Sequence, residues 1–183
     1  MNTWRVALFA LMIVFCQGVV VGVADDMTFG FDEDKDGNGI PDPWTIGKGA
    51  PEKSVSLDTS VKKSGKGSIR LEDASESAYV VVRHMVDAKP NTAYRLTAWA
   101  KTDETAGPTA VYLSEYHAPG KGRGLLKLHV LIIDQPREWK EFTKEFATTE
   151  KTGRITIELC PVGFAIMYTG TAWIDDVKIE EVQ

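Results

Sequence analysis

Tyr94-Arg95-Leu96-Thr97-Ala98-Trp99-Ala100-Lys101 alternates without a break: Leu96, Ala98 and Ala100 fall on one side, and Arg95, Thr97, Trp99 and Lys101 on the other. Successive side chains of an extended chain point to opposite faces, so this stretch reads as a half-buried strand with Trp99 on its polar face. The same period of two recurs further on, where Ile155, Ile157 and Leu159 oppose Thr156, Glu158 and Cys160. In 109–116 the pattern is divided. Val111 and Leu113 share parity with Glu115, while Tyr112, Ser114 and Tyr116 share the other; with the aliphatics in the core, both tyrosines face out. Short runs of β-branched and aromatic residues bounded by Gly, Pro, Asn and Asp predict further strands. The full expected set is 55–58, 67–72, 79–86, 94–101, 109–116, 125–133, 140–147, 154–159, 165–168 and 172–180. No stretch keeps a 3.6-residue period for more than a turn or two, so the expected fold is all-β, a two-sheet antiparallel sandwich.

Upstream, Arg5, the apolar run 6–15 and the small residues Gly22 and Ala24 read as a secretory signal over residues 1–24, leaving 25–183 as the mature chain. The rival reading is a retained anchor, but Gln17 and Gly18 interrupt the apolar run and no basic cluster follows. Taking 24 residues from 183 leaves 159, enough for one domain that buries roughly 70% of its unfolded surface. Arg5 is the only charged residue removed, so 21 basic residues become 20 against 26 acidic, a net charge of −6. That balance argues against nucleic acid, which asks for a basic stripe. It suits a secreted protein, periplasmic or extracellular, with no membrane partner after signal removal; a monomer is expected. Cys160 alone survives processing, so the fold is built without an intramolecular disulfide. The Gly-rich 117–124 segment lacks a Gly-Lys-Ser/Thr ending and reads as a hairpin loop rather than a phosphate cradle. His84, His117 and His129 have no zinc-ligand spacing.

Between these regions lies Asp34-Lys35-Asp36-Gly37-Asn38-Gly39-Ile40-Pro41-Asp42. Asp34, Asp36, Asn38 and Asp42 supply side-chain oxygens at loop positions 1, 3, 5 and 9, with Gly39 at the sharp turn and the Ile40 carbonyl at position 7, as hard-cation loops do. Calcium is the expected ion. Thr45 stands where a complete EF-hand has Glu, and Pro41 and Pro43 oppose an exiting helix, so the loop is nearer to short acidic calcium repeats. The alternative is a solvated acidic turn.

Three segments occur in a telling order: Phe31-Asp32 to Trp44, the turn Ser64-Gly65-Lys66-Gly67-Ser68 leading into Ile69-Arg70-Leu71, and the terminal Gly170-Thr171-Ala172-Trp173-Ile174-Asp175-Asp176-Val177. Between the last two stands Pro90-Asn91-Thr92-Ala93-Tyr94-Arg95-Leu96. From about residue 29 to 182 the chain resembles carbohydrate-binding modules of the family 4, 9 and 22 type. The resemblance implies a galactose-binding-like jelly-roll sandwich whose first and last strands lie side by side. It also implies a structural calcium near those strand ends, held by carboxylates of Asp32 and Asp175 and by backbone oxygens of Ser64 or Lys66. Parity places Asp175 with Val177 and Ile179 toward the core, where a carboxylate needs a partner.

A sugar site combines an exposed aromatic platform with polar side chains that donate and accept in pairs. Trp99 with Arg95 meets that description best, and Tyr112, Glu115, Tyr116, Glu158 and Tyr168 are expected near it if their strands share a sheet. Trp44, Trp139 and Trp173 are assigned to packing. The expected function is therefore non-catalytic binding of a poly- or oligosaccharide by a calcium-stabilised module. Two other classes compete: a structural or adhesive cell-envelope module without glycan binding and, further off, a glycoside-active enzyme using a pair such as Glu115 with Glu158.

Overall fold

The structure, a computed structural model, describes residues 26–48, 50–51, 53–74, 80–161 and 169–182. The signal segment 1–24 and the expected strand 165–168 with Tyr168 lie outside the described residues. Eleven strands form among the described residues: β1 (Met27–Phe29), β2 (Thr45–Ile46), β3 (Val55–Asp58), β4 (Ser68–Asp73), β5 (Val82–Asp87), β6 (Ala93–Thr102), β7 (Thr109–His117), β8 (Leu125–Ile133), β9 (Lys140–Ala147), β10 (Thr152–Cys160) and β11 (Gly170–Glu181). They make two antiparallel sheets. One runs β3-β4-β11-β6-β9, with β1 also paired to β11; the other runs β2-β5-β10-β7-β8. This is the expected jelly-roll sandwich.

Alternation explains how each strand serves the core. Leu96, Ala98 and Ala100 from β6, Ile155, Ile157 and Leu159 from β10, and Val111 and Leu113 from β7 meet between the sheets and are all essentially inaccessible to water. Burying each of the larger aliphatics contributes about 1.5–3 kcal/mol. Phe31, Ile40 and Trp44 from the acidic segment join the same cluster, so that loop is anchored at both ends by apolar side chains. Trp44 is buried, in agreement with its packing assignment.

β11 is the hub. Residues 170–174 pair with β4 and 177–179 with β1 on one edge, while β6 occupies the other. The expected adjacency of first and last strands is present, with Met27 opposite Ile179 and Phe29 opposite Val177. The β6 register slips between Asp175 and Lys178, and Asp176 takes a left-handed backbone, φ 48°. Such a bulge adds one residue to the strand and reverses the facing of the residues beyond it. Ile174 and Val177 both reach the core although three residues apart. The parity expectation for Asp175 is thereby corrected: it is opposite Trp99 on the outer side of the sheet rather than with Val177. The strands β1 and β2, three and two residues long, were absent from the sequence expectation because their pairing partners are distant in the chain.

Trp173 fastens β11 across β4 to the end of β3, its indole N–H donating to Asp58 Oδ2 at 2.9 Å. Burial pushes the Asp58 carboxyl up, but hydrogen bonds from Ser60, Trp173 and the Val61 and Ser60 amides outweigh it and hold the pKa at about 2. A depressed carboxylate stabilises the fold fully above its unfolded value of 3.8, and that contribution is lost as pH falls toward 2. Trp173→Phe should raise the Asp58 pKa and shrink its acid-sensitive contribution to stability. Carboxyl NMR titration checks this, and an unchanged Asp58 pKa would refute the role given to Trp173.

Candidate functional site

Three aligned rows of side chains cross the outward face of the β2-β5-β10-β7-β8 sheet. Arg83 is opposite Glu158, which is opposite Tyr112; Met85, Thr156 and Ser114 make the next row; Asp87, Arg154 and Tyr116 make the third. Directly opposed residues in antiparallel strands stand about 5 Å apart, so each row is a continuous strip. A cleft of about 450 Å³ opens over these rows. Arg83, Met85, Tyr116, Arg154, Thr156 and Glu158 line it, and Pro43 with Thr45 supply a wall from the end of the acidic segment. Arg154 is steadied by its Nε, which donates to the His117 carbonyl at 3.3 Å, and by Met85 Sδ, 3.5 Å from Nη1. His84 has the opposite parity to Arg83 and meets the rings of Phe29 and Trp44 at 5.1 and 5.8 Å. Burial pushes its pKa down, so it is a neutral imidazole at pH 7.

The aromatic cluster expected around Trp99 is divided by the sandwich. β6, with Trp99 and Arg95, pairs with β9 and β11, whereas β7 and β10, with Tyr112, Tyr116 and Glu158, belong to the other sheet. The chain changes sheets in the 103–108 connection, so neighbours in sequence face opposite sides of the molecule. Trp99 is capped by the Lys63 ammonium, 4.3 Å from the ring centroid, and Arg95 is engaged by Glu145 at 2.7 Å and Glu180 at 3.4 Å. Tyr112 lies on the cleft side but is only 8% exposed, packed with Ala110, Cys160 and Val130, so it is no open platform. Tyr116 and Glu158 remain at the cleft. Arg83, Arg154, Met85 and Thr156 were missed, although Arg154 shares parity with Thr156 and Glu158 in a strand whose alternation is plain in the sequence.

Glu115 is a second correction. It points inward, fully buried, with Oε1 2.5 Å from His129 Nε2 and Oε2 accepting the Thr149 amide at 2.9 Å and the Thr152 hydroxyl. Burial opposes its charge, but the Thr152, Thr149 and His129 hydrogen bonds prevail and keep the carboxyl below the usual range. Glu115 and Glu158 therefore occupy opposite faces of one sheet. The inward pair ties the 148–152 turn to β7 and β8.

The acidic loop folds around its own amides. Asp34 accepts from Asn38 N at 3.1 Å and Gly39 N at 2.8 Å, Asp36 from Asn38 N at 3.1 Å, and Asp42 from Lys35 N at 2.8 Å. Gly37 and Gly39 hold φ of 70° and 84°, left-handed bends that turn the loop back on itself. Asp34, Asp36, Asn38 and Asp42 offer oxygen donors of the kind a hard cation takes, but here Asn38 Nδ2 donates to Asp36 Oδ2 and Ile40 N to Asn38 Oδ1, both at 2.7 Å. The oxygens are thus engaged by the loop's own N–H groups, and a cation would have to draw them together. No three His, Cys, Asp or Glu side chains already converge at metal-binding separation among the described residues.

The 63–66 turn behaves differently. It directs N–H groups at the carboxylates: Lys63 N and Ser64 N donate to Asp175 Oδ2 at 2.9 and 3.1 Å, and Lys66 N donates to Asp32. Asp175 Oδ1 receives Asp176 N at 2.8 Å, and Ser64 Oγ donates to Asp176 at 2.7 Å. A cation needs oxygens where these amides stand, so Asp32, Ser64, Lys66 and Asp175 as placed here do not fit calcium. Asp175 is 2% exposed, and burial pushes its pKa up against the three amide bonds that pull it down.

No protein-family model matches the sequence, and no curated protein matches it. Solved structures do. The CBM22-1 xylan-binding domain of Paenibacillus barcinonensis Xyn10C aligns at TM-score 0.57 and 12% identity over 87% of this chain and 96% of its own. A CBM4 structure aligns at 0.56 and 17% identity over 84% and 97%. The fold is that of carbohydrate-binding modules. The chain spans 28% of a Clostridium thermocellum xylanase 10B chain that carries CBM22-1 and GH10 modules with xylohexaose (TM-score 0.61, 14% identity over 85% of this chain). It spans 19% of a bacteriophage CBA120 tailspike chain (0.60, 17%, over 76% of this chain).

The cleft supplies an aromatic side, guanidinium donors and a carboxylate acceptor, whereas Glu115 is structural. Glu115→Ala would leave His129, the Thr149 amide and Thr152 without their partner and should cost about 3–5 kcal/mol of stability. Chemical denaturation measures it; a loss below about 1 kcal/mol would contradict the interior role.

Proposed function

We propose that this chain is a secreted, non-catalytic carbohydrate-binding module that holds a poly- or oligosaccharide in the cleft over β5, β10 and β7. The observation that carries the reading is the cleft itself, where the half-buried Tyr116 stands beside rows of side chains able to donate and accept together. Sugar rings present apolar C–H faces and a rim of hydroxyls. Tyr116 offers a surface for the first; Arg154 donates to, Glu158 accepts from, and Thr156 serves either way for the second. The xylan-binding domains that share the fold support a glycan as the ligand class. Glycosidases set two carboxyl groups about 5–10 Å apart on either side of one bond, and Glu115 and Glu158, separated by the sheet, do not flank a common space. Export is inferred from residues 1–24.

Calcium belongs to this proposal at the loop of Asp34, Asp36, Asn38 and Asp42. Bound there it would neutralise the carboxylates and stiffen the segment that carries Pro43 and Thr45 to the cleft wall.

Two measurements test the reading. In calorimetric and array binding with calcium present, Tyr116→Ala should lower glycan affinity about three- to tenfold while Trp99→Ala leaves it unchanged. The reverse pattern would move the site to the other sheet, and a folded wild type that binds no glycan would leave the structural or adhesive module as the function. Separately, calcium added to chelator-treated protein should raise Tm by about 5–11 °C, as binding at 100-fold excess over Kd predicts. Asp34→Ala should abolish that rise, and a wild type indifferent to calcium would remove the ion from the proposal.

A further inference from the structure

Cations on the two outer faces are treated differently. On the β11 side four of them have counter-charges: Arg70 meets Glu72 at 2.8 Å, Arg95 meets Glu145 and Glu180, Lys101 meets Glu138 at 3.4 Å, and Lys178 meets Glu180 and Asp26 at 2.6 and 3.2 Å. On the cleft side, no described carboxylate lies within 4.0 Å of Arg83 or Arg154, the distance that defines those pairs. Acids are within reach of the backbone register, since Glu158 is opposite Arg83 and Asp87 is opposite Arg154. Neither closes a bridge.

Both guanidiniums are half-buried and border one cleft, with Met85 and Thr156 between them. Arg83 is level with Glu158, four residues along β10 from Arg154, which separates the two by roughly 14 Å along the strand. Arg154 uses Nε on the His117 carbonyl and rests Nη1 on the Met85 sulfur, which leaves the rest of its five donors directed elsewhere. A planar guanidinium fork matches a carboxylate or sulfate oxyanion in two parallel hydrogen bonds, and a partly desolvated one without a counter-charge gains most from such a partner. Among the described residues Glu158 lines the cleft and Asp87 stands in the row of Arg154, so acids and arginines are equal in number, and what sets the two arginines apart is that neither closes an ion pair. The chain as a whole carries −5.

We infer that the glycan held in this cleft is anionic, with carboxylate or sulfate ester groups of separate, non-adjacent sugar units seated on Arg154 and Arg83. The inference rests on the glycan-binding reading above and specifies its substrate class. An acidic protein surface by itself repels such a polymer, and the local pair of forks is what overcomes the repulsion.

The test compares full mature protein on polygalacturonate and alginate, which carry carboxylates, on λ-carrageenan, which carries sulfate esters, and on neutral xylan and glucomannan. Anionic polymers should bind at least tenfold more tightly than neutral ones, and the carboxylate and sulfate arms identify which group is read. Affinity should fall as salt rises from about 0.05 to 0.5 M, because screening weakens charge pairing. Arg83→Ala and Arg154→Ala should each weaken anionic binding roughly ten- to hundredfold, and Arg154→Lys, which keeps charge but not the fork, should recover only part. Melting curves establish that the variants are folded. If neutral glycans bind at least as tightly, with no effect of salt or of either arginine, the anionic inference fails and the glycan-binding reading stands. If no polymer of either kind binds, both fail together.

Discussion

The bulge at Asp175 and Asp176 is the constraint on which the rest of this sandwich depends. β11 must pair with β4 and then β1 along one edge and with β6 along the other, and a single extra residue lets it do so while both Ile174 and Val177 stay in the core. Ordinary alternation from Ile174 turns the Asp175 carboxylate outward beneath the 63–66 turn, where the Lys63 and Ser64 amides donate to it, and the inserted residue returns Val177 to the core. A buried charge with three N–H partners avoids most of the cost that an unpaired one would carry. The turn, the bulge and Asp32 thus form one polar joint that locks the start of the chain to its last strand.

With that joint fixed, the two outer faces acquire separate characters. The β11 side is a network of closed ion pairs that covers its aromatic residues, including Trp99 under Lys63. Exposed pairs of this kind contribute little to stability. The β10 side keeps Arg83 and Arg154 without an ion pair among the described residues while Tyr112, Ser114 and Thr156 in its rows are buried, and the acidic segment ends against it through Pro43 and Thr45. The cleft lies on the outer face of the β2-β5-β10-β7-β8 sheet, and the interior Glu115–His129 pair serves packing on the inner face of that same sheet.

The acidic segment links these two functions. Phe31, Ile40 and Trp44 plug it into the core, while the carboxylates between them are wound around their own amides by two left-handed glycines. The same short stretch holds apolar anchors, an acidic loop closed on its own amides and part of the cleft wall. It meets the cleft rows where Thr45 pairs with Arg83 and donates to the Arg83 carbonyl at 3.3 Å.

Alternation alone determined much of this protein. A period of two is a local consequence of extended backbone, so 55–58, 125–133 and 140–147 coincide with β3, β8 and β9, and the aliphatics of β6, β7 and β10 lie in the core as expected. The spacing of oxygens and glycines in 34–42 likewise follows from residues close in sequence. What sequence periodicity does not contain is which strand lies beside which. Parity with Val111 and Leu113 already placed Glu115 inward, but sheet membership comes from pairing between distant segments, so only the tertiary structure separated Trp99 from Tyr116, put Asp175 and Val177 on opposite faces across a bulge, and set Arg83 beside the row of Arg154. The candidate residues were legible one strand at a time; their assembly into a cleft was decided by crossovers that no local pattern records.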